Sequence, residues 1–336
     1  MAIRAGINGF GRIGRCILRA LAESGRGGIE IAAINSRADV SVAAHLLQYD
    51  TAHGRFAEKV SAGRGVLDIG GRAVPYTQHA APEDIGWEKA GADIVLECTG
   101  VWTARENAAR HLTAGAKKVL ISAPGADADA TVVYGVNHAI LAENNFTVVS
   151  AASCTTNCLA PVTKVLHDNF GVERGWMSAV HAMTADQKLL DESHKDLRRA
   201  RAAGANIIPT KTGAAESIGL VIPELQGKLG GGALRVPVAN VSLLDLTCIL
   251  AREADAGEIN TAFAAAAKTF PPGVLAVCET PLVSSDFNHS PYSASIDAAQ
   301  TKTLGNLAKV FAWYDNEWAF ACRMLDVAAA MFSAKN

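Results

Sequence analysis

The chain has 336 residues, of which 49% are hydrophobic and 19% charged, and its formal net charge is -2. This length exceeds one ordinary domain, so we expect two domains with buried cores. The small net charge argues against nucleic-acid and membrane partners, and no run of about 18 apolar residues predicts a membrane span. The opening segment lacks the apolar block of a signal peptide, and seven scattered cysteines favour a reducing, cytoplasmic compartment.

The first predicted element is a buried strand around Ala5 and Ile7, which is followed by a glycine turn and a helix. Gly9, Gly11 and Gly14 fit the pattern G-x-G-x-x-G. The helix is predicted from apolar residues at helical spacing, Ile13, Ile17, Leu18 and Leu21. Glycines in this context let the backbone approach a pyrophosphate, which the helix N-terminus attracts. The pattern predicts a dinucleotide site, and a glycine turn that binds nothing is the alternative.

The second predicted strand, "IEIAAIN", ends at Asn35 and is followed by Ser36 and Arg37. A dinucleotide fold often has an acidic residue here, which holds the ribose hydroxyls of the adenosine. A carboxylate would repel a 2'-phosphate, whereas Ser36 does not and Arg37 can pair with one. This pair of residues therefore favours NADP, unless Arg37 is only a solvated loop residue.

Four further β-like runs are "ADIVLECTG", "KKVLISAP", "ATVVYGVN" and "FTVVSAAS". They are separated by glycines, polar residues and helical stretches, which is typical of an open, mostly parallel sheet. Thr99 and Ser122 follow two of these strands. Because doubly wound sheets bind ligands at the carboxyl ends of their strands, both residues are candidate ligand contacts.

Cys154 follows the last of these strands and begins a predicted helix with Leu159, Val162, Val165 and Leu166 on its apolar face. The dipole at a helix N-terminus favours the thiolate, which is the nucleophilic form of cysteine. Cys158 lies one turn further along and is predicted to be buried and inert. Cysteines and histidines do not recur here at zinc-ligand spacing, so no metal is predicted.

Two basic side chains accompany this cysteine as candidates for catalysis and anion binding. His181 ends an apolar strand-like run, which suits a catalytic base, although buried histidines are more often structural. Arg235 lies in the run "GGALRVPVANVSLLDLTCIL", predicted to form a pair of strands in an antiparallel sheet. An arginine in an apolar strand is costly unless it is paired, so Arg235 is a candidate contact for an anionic substrate.

The remaining chain contains a charged segment, then strands and two helices. The segment "DQKLLDESHKDLRRARAAG" is typical of a solvated surface, whereas "TKTGAAES" offers hydroxyls and a glycine turn that can bind phosphate. The later predicted elements are the helix "EINTAFAAAAKTF", the strands "VLAVCET", "YSASID" and "LAKVFAWYDNEW", and the helix "FACRMLDVAAAMFSA". This last helix is expected to fold back on the first domain.

With these motifs in place, the chain resembles the phosphorylating glyceraldehyde-3-phosphate dehydrogenase family over nearly its whole length. The motifs that carry the resemblance include "INGFGRIGR", "SCTTNC", "HKDLRRARAA", "IIPTKTGAA", "LRVPVANVS" and "WYDNEW". The resemblance implies an α/β chain with a Rossmann-type doubly wound parallel sheet in residues 1–153, completed by the C-terminal helix 317–336. It implies an α+β catalytic domain with a mostly antiparallel sheet in residues 154–316, and a homotetramer.

The resemblance also implies a role for individual residues. Cys154 is the expected nucleophile and His181 its base, and the expected substrate is D-glyceraldehyde 3-phosphate. The reaction passes through a thiohemiacetal and then a thioester, which inorganic phosphate converts to 1,3-bisphosphoglycerate. The expected contacts to substrate phosphate and inorganic phosphate are Ser153, Thr155, Thr184, Arg199, Thr212, Gly213 and Arg235. The expected cofactor contacts are Gly9, Gly11, Arg12, Ile13, Gly14, Ser36, Arg37, Thr99, Ser122, Ser193 and Asn316.

The chain departs from the family pattern at several positions, most of them near the adenosine. Ser36 replaces the usual acid, and Ala80 replaces an arginine near the adenine. NAD-specific relatives carry proline at the position of Ser193, whereas chloroplast-type relatives that accept NADP carry serine. In the tetramers of those relatives this loop reaches the cofactor site of a neighbouring subunit, so the resemblance implies that Ser193 can donate to a 2'-phosphate there. We therefore expect both NAD and NADP to be used. Ala151 and Met183 also depart from the pattern but leave the Cys154–His181 pair intact.

Two alternative functions stay open from the sequence. The first is erythrose-4-phosphate dehydrogenase, a close relative of the family, whose sequence pattern is similar to this chain at "DFNH" and Met183. The segment "TKTGAAESIGLVIPELQGKL" instead follows the pattern of glyceraldehyde-3-phosphate dehydrogenases at the phosphate site. The second is a non-catalytic redox sensor, in which Cys154 would be the thiol that becomes oxidised, since an exposed reactive thiol is oxidisable whatever its main role. A pure sensor would not require His181, Arg199 and Arg235 in matching contexts.

Overall fold

The computed structural model describes residues 2–25 and 27–333, and the chain divides into two compact units. The first unit comprises the chain up to Tyr134, His138–Ala152 and the chain from Ala321 onward. The second unit comprises Gly135–Asn137 and Ser153–Phe320. The described helices include none long and apolar enough to cross a membrane.

The first unit is built on a nine-stranded, mostly parallel sheet. The strands of this unit are β1 (Ile3–Asn8), β2 (Ile29–Asn35), β3 (Tyr49–Asp50), β4 (Gly54–Arg55), β5 (Val60–Gly63), β6 (Val66–Ile69), β7 (Arg72–Thr77), β8 (Ile94–Glu97), β9 (Lys118–Ile121), β10 (Ala130–Thr131) and β11 (Val148–Ser150). The sheet order is β10-β11-β9-β8-β1-β2-β7-β6-β5, while β3 and β4 form a separate hairpin. All pairs from β10 to β7 are parallel, and β5, β6 and β7 pair antiparallel. The Rossmann-type fold class is thus confirmed.

The strand order reverses between β1 and β8, which is where a doubly wound sheet binds its ligand. From β1 the chain proceeds to β2 and β7 on one side, and from β8 it proceeds to β9 and β11 on the other. The central strands are long apolar runs because helices cover both faces of such a sheet. Ile94, Val95 and Leu96 of β8, for example, are wholly buried.

The helices of the first unit follow the strands in alternation. They are α1 (Arg12–Glu23), α2 (Val40–Gln48), α3 (Trp87–Ala90), α4 (Arg105–Ala108), α5 (Arg110–Thr113) and α6 (Ile140–Glu143). The predicted helix after the glycines is confirmed as α1, in which Ile17 and Leu18 are buried. The antiparallel extension β5–β6 was not predicted, because its strands are short and interrupted by glycines.

One predicted strand is mostly wrong. In "ATVVYGVN" only Ala130–Thr131 is a strand, and the following residues form a loop and turns. Val132 and Val133 are nevertheless buried. Their hydrophobicity reflects packing under a loop, which a pattern of valines cannot distinguish from pairing in a sheet.

The second unit contains an eight-stranded mixed sheet, mostly antiparallel as expected. Its strands are β12 (Val172–His181), β13 (Ile208–Thr210), β14 (Leu229–Arg235), β15 (Ser242–Leu250), β16 (Leu275–Cys278), β17 (Ala294–Asp297), β18 (Lys302–Leu304) and β19 (Leu307–Tyr314). The order is β13-β14-β12-β15-β19-β17-β16, with β18 beside β19. The predicted pairing around Arg235 is wrong: β12 lies between β14 and β15 and is parallel to β14. Adjacent strands in sequence need not be neighbours in a sheet when another strand is inserted.

The helices of the second unit are α7 (Cys154–Phe170), α8 (Ile218–Val221) and α9 (Ala256–Thr269), and α10 (Trp318–Ala330) follows β19. From Ala321 onward α10 belongs to the first unit. Short 3-10 turns occupy Pro82–Asp84, Ala203–Ala205, Pro223–Leu225, Ser284–Phe287 and Ala298–Gln300. Helix α7 contacts β12, β15, β17 and β19, so it covers one face of the sheet. The alternating burial of β15 and β19 agrees with one covered face.

Candidate active site and dinucleotide site

Cys154 is the first residue of α7. Ser153 caps this helix, because its Oγ accepts a hydrogen bond of 3.0 Å from the backbone N–H of Thr156. Cys154 is partly exposed, whereas Cys158 is buried as predicted. The first turn of α7 therefore places backbone N–H groups and the positive end of the helix dipole beside the Cys154 thiol.

His181 ends β12 and faces Cys154. Its Nε2 lies 3.5 Å from Cys154 Sγ, and its Nδ1 lies 2.8 Å from the carbonyl oxygen of Ala182. Because a carbonyl only accepts, Nδ1 carries the proton, and the lone pair of Nε2 is directed at the thiol. The backbone N–H of Ala182 in turn donates to Ser242 Oγ at 3.1 Å. These contacts hold the imidazole in the tautomer that a base requires.

The protonation of this pair differs from the sequence expectation. Burial raises the pKa of the Cys154 thiol, and the charge of Arg235 and hydrogen bonds from Thr155 lower it by less. Burial and the charge of Arg235 lower the pKa of His181 to about 4. Desolvation thus opposes the preference for the thiolate that a helix N-terminus gives. Thiol and imidazole are both neutral near pH 7.

Arg235 connects His181 to a candidate anion site. Its Nη1 is 3.1 Å from His181 Nδ1 and donates to Thr184 Oγ1 at 3.1 Å and to the carbonyl oxygen of Ala182 at 3.2 Å. Its Nε is buried, and among the described residues it has no hydrogen-bond partner. A guanidinium with a buried donor that has no partner fits an anionic ligand, because an unmade hydrogen bond at a charged group is costly.

A second group of basic and hydroxyl residues surrounds Arg199. Its Nε donates to Thr210 Oγ1 at 2.9 Å, and its Nη1 donates to Asp186 at 2.5 Å. The charge of Arg199 also contributes to the lowered pKa of His181, so it acts on the same site. Thr212 and Gly213 follow β13; Gly213 is exposed, and a Cβ added there would meet no atom within 4 Å. That backbone is open to a ligand.

Thr155 differs from the other candidate phosphate contacts. It is buried, and its hydroxyl shares a hydrogen bond of 3.0 Å with the hydroxyl of Tyr314. The same hydrogen-bonded region includes Asn316, whose Oδ1 accepts from Ser242 Oγ at 2.7 Å. Two residues next to these elements, Ala152 and Val241, have left-handed backbone with φ of 58° and 69°. Such strain in non-glycine residues is typical of functional sites.

The glycine turn after β1 has the shape that a pyrophosphate needs. Gly9 has φ of 92°, and a Cβ on it would lie 2.6 Å from the backbone nitrogen of Thr99. A Cβ on Gly14 would lie 2.3 Å from the carbonyl oxygen of Gly9. At Gly11 a Cβ would meet no protein atom within 4 Å. Gly9 and Gly14 are thus required by internal packing, whereas Gly11 leaves open space at the start of α1.

The remaining residues of this turn are held by neighbouring groups. Arg12 forms a bidentate ion pair with Asp50, with distances of 2.5 and 3.1 Å. Burial would raise the pKa of Asp50, but hydrogen bonds from Arg12, Ala52 and His53 lower it to about 2. The guanidinium of Arg12 is therefore neutralised, and its backbone N–H at the helix start is the part suited to phosphate. Ile13 is partly buried beside it.

A buried hydrogen-bonded network links the ends of β8, β1, β2 and β7. Asn8 Nδ2 donates to Glu97 at 2.6 Å, and Asn35 Nδ2 donates to Asn8 Oδ1 at 2.8 Å. Glu97 also accepts from the backbone N–H of Thr99 at 2.8 Å and from its hydroxyl. His111 Nε2 lies 2.9 Å from Glu97. Four donors thus surround one buried carboxylate and position Thr99 beside the glycine turn.

A cavity of about 140 Å³ lies above this network. Its lining residues are Asn8, Gly9, Asn35, Ser36, Arg37, His79, Ala80, Thr99, Val101 and Trp102. The structure therefore brings Ser36, Arg37 and Thr99 together with Gly9, as a nucleotide site at the reversal of strand order would require. Ser122 follows β9 and donates its N–H to the carbonyl oxygen of Glu97 at 2.9 Å. Ser193 is exposed in the second unit, between β12 and β13.

Several residues of these sites were missed by sequence reasoning. Tyr314 contacts Thr155, Asp186 contacts Arg199, and Ser242 contacts Ala182 and Asn316 beside His181. Glu97 and His111 support the nucleotide site. A glutamate at the end of an apolar strand was the one visible signal, since a buried acid requires partners. The partners themselves are distant in sequence.

Comparison with known proteins agrees with this geometry. Residues 3–105 match the family model "Glyceraldehyde 3-phosphate dehydrogenase, NAD binding domain", and residues 153–316 match "Glyceraldehyde 3-phosphate dehydrogenase, C-terminal domain". The glyceraldehyde-3-phosphate dehydrogenase of Pseudomonas aeruginosa is 53% identical over 337 residues, covering 100% of both chains. The enzyme of Cereibacter sphaeroides is 52% identical, covering 98% of this chain and 99% of its own, and enzyme 1 of Bacillus subtilis is 49% identical, covering 98% of both. The chain belongs to the glyceraldehyde-3-phosphate dehydrogenase family.

Proposed function

We propose that this protein oxidises D-glyceraldehyde 3-phosphate and phosphorylates it to 1,3-bisphosphoglycerate, with NAD as hydride acceptor, in the cytoplasm. The observation that carries the proposal is the contact of His181 Nε2 with Cys154 Sγ at 3.5 Å, beside the guanidinium of Arg235. A nucleophile, its base and a cation for an anionic substrate are thus in one cluster.

The chemistry of the chain's own residues follows from this cluster. Cys154 Sγ attacks the aldehyde carbon, and its proton passes through His181 Nε2 to the aldehyde oxygen, which gives a thiohemiacetal and leaves His181 free to act as a base. The hydride would leave this carbon in the next step, for which bound NAD would supply the acceptor. His181 takes the hydroxyl proton in that step, which leaves a thioester on Cys154. Inorganic phosphate attacks the thioester carbon, the C–S bond breaks, and the thiol of Cys154 is restored. Backbone N–H groups at the start of α7 stabilise the oxyanion.

The substrate strengthens its own base in this scheme. The charge of Arg235 contributes to the low pKa of His181, so the free protein has a weak base. A phosphate group bound at Arg235 neutralises that charge and makes the protonated imidazole less costly. Proton transfer from Cys154 to His181 is then less costly when the phosphorylated aldehyde is bound, although burial still lowers the pKa of His181.

Two anion sites are needed, one for the substrate phosphate and one for inorganic phosphate. We assign the first to Arg235 and Thr184, because their hydrogen bond of 3.1 Å holds the two side chains side by side. The second set comprises Ser153, Arg199, Thr212 and Gly213, and we leave Thr155 out of it because this residue is buried with its hydroxyl bonded to Tyr314. The exposed backbone of Gly213 and the cation of Arg199 support this assignment.

Turnover on several aldehydes tests the proposal. NADH formation should be fast with glyceraldehyde 3-phosphate and should require inorganic phosphate in the steady state, because phosphate releases the acyl group from Cys154. Faster turnover on erythrose 4-phosphate would identify the protein as the related dehydrogenase. Absence of NADH formation with every phosphorylated aldehyde would favour a redox sensor at Cys154.

We also propose that NADP is accepted alongside NAD. The residues that support this are Ser36 and Arg37, which line the nucleotide cavity, and Ser193, which would act on the cofactor of a neighbouring subunit. Ser36→Asp should weaken NADP binding by about 1–3 kcal/mol through like-charge repulsion and improve NAD binding through the ribose hydroxyls. A wild-type preference for NAD of about a thousandfold, roughly 4 kcal/mol, would refute dual use.

The proposal extends to assembly and to domain roles. We propose a homotetramer, in which residues 1–153 with 317–336 bind the dinucleotide and residues 154–316 carry catalysis. Exposed apolar side chains on the second unit support assembly: Trp176, Leu189, Leu190, Leu197 and Ile207 are 62% to 85% exposed. Isolated apolar residues are ordinary on a surface, but several large ones in one unit are typical of an interface.

A further inference from the structure

The nucleotide cavity contains a histidine that neither the glycine pattern nor the active-site chemistry uses. His79 lines this cavity together with Ser36 and Arg37. It lies just beyond β7, whose last residue pairs with Asn35 at the end of β2. The residue is exposed, so burial does not explain its presence.

The position of His79 is controlled by the buried side chain of Asn35. The backbone N–H of His79 donates to Asn35 Oδ1 at 2.9 Å, and the carbonyl oxygen of His79 accepts from Asn35 Nδ2 at 3.0 Å. Asn35 is buried, and its Nδ2 also donates to Asn8. An exposed loop residue whose peptide groups are held at both ends is pre-organised, which lowers the entropic cost of ligand contacts by its side chain.

The charge of the cavity points to an anion. Its described lining residues include the guanidinium of Arg37 and the imidazole of His79, both of which can donate hydrogen bonds, and no carboxylate lies among them. Ala80, the next residue, is small and uncharged, so Arg37 and His79 are the basic side chains at this end of the cavity. A site for unphosphorylated ribose has an acid instead.

We propose that His79 recognises the 2'-phosphate of NADP, together with Ser36 and Arg37, and so determines cofactor specificity in this chain. The inference rests on the proposed use of NADP. Protonated imidazole donates a charge-assisted hydrogen bond to a phosphate oxygen, while Ser36 donates its hydroxyl. NAD lacks the 2'-phosphate, and its binding should not depend on His79.

Direct binding measurements test this without the reaction. Dissociation constants for NADP, NAD, 2',5'-ADP and 5'-AMP are measured by calorimetry at low salt, where charges are weakly screened. His79→Gln should weaken NADP and 2',5'-ADP by about three- to tenfold and leave NAD and 5'-AMP within about twofold. His79→Lys should retain the affinity for NADP, because it retains the charge.

His45→Gln is the matched control, since His45 is an exposed histidine of α2 that does not line the cavity. Unchanged NADP affinity in His79→Gln, with measurable NADP binding by the wild type, would overturn the role of His79 and leave dual cofactor use intact. Equal weakening of NADP and NAD would also overturn it. No NADP binding by the wild type would overturn dual use and the role of His79 together.

Discussion

At the scale of single residues, Cys154 and His181 form a neutral pair in the resting protein. Cys154→Ser should reduce dehydrogenase activity to less than about a tenth of wild type, because a serine hydroxyl cannot form the thioester. His181→Asn should slow hydride transfer by about 10²–10⁴-fold, which is the usual contribution of a general base. Pre-steady-state NADH formation measures both. A Cys154→Ser protein with near wild-type rates would remove Cys154 from the mechanism.

Arg235 should affect the substrate and not the cofactor. Arg235→Leu removes a cation and its free Nε donor from the candidate phosphate site. The KM for glyceraldehyde 3-phosphate should rise by about tenfold or more, since a charged hydrogen bond is lost at that end. The KM for NAD should change little. Equal increases in both constants would mean that Arg235 has only a structural role.

His181 should also make stability depend on pH. Its pKa falls from 6.5 to about 4 on folding, so the unfolded chain binds the proton more readily. The stabilisation is complete above about pH 6.5 and is lost as the pH falls towards 4, by about 3 kcal/mol in all. Urea unfolding at several pH values should show a smaller loss of stability in His181→Gln. Identical pH profiles would contradict the assigned cause.

At the scale of elements, the glycines of the turn before α1 have different roles: Gly14 is required for packing, and Gly11 leaves space for a ligand. Gly14→Ala should destabilise the first unit, because its Cβ would lie 2.3 Å from the carbonyl oxygen of Gly9. Gly11→Ala should leave the Tm nearly unchanged, since no protein atom is within 4 Å, and yet weaken NAD binding by filling space for the pyrophosphate. Thermal unfolding and NAD titration distinguish the two effects. Full NAD affinity in Gly11→Ala would refute close approach at this residue.

Apolar spacing in the sequence predicted some elements correctly and others wrongly. Local patterns identified β1, β2, α1, α7 and β12 because apolar spacing reports which face of an element is buried. The same reasoning assigned Val132 and Val133 to a strand and joined β14 to β15. These errors arose because hydrophobicity reports burial, while partners in a sheet are chosen by distant parts of the chain.

At the scale of the whole molecule, the exposed leucines of segment 182–207 should lie in subunit interfaces. Leu197 is 83% exposed and Leu189 is 85% exposed. Leu197→Asp should shift the proposed tetramer towards smaller species, because a carboxylate would be buried in the interface without a partner. Light scattering with size-exclusion chromatography measures the mass. Leu304→Asp, at an equally exposed leucine of β18, is the control, and an unchanged tetramer in Leu197→Asp would contradict the proposed interface.

The sequence alone determined the alternation of strands and helices, the glycine turn, and the position of Cys154 at a helix start. These features depend on neighbours within a few residues, so periodicity and glycine placement report them directly. Only the tertiary structure placed Arg235 against His181, Asn35 against His79 and Glu97 against His111. Protonation and specificity depend on such contacts, because desolvation and nearby charge act through space and not along the chain.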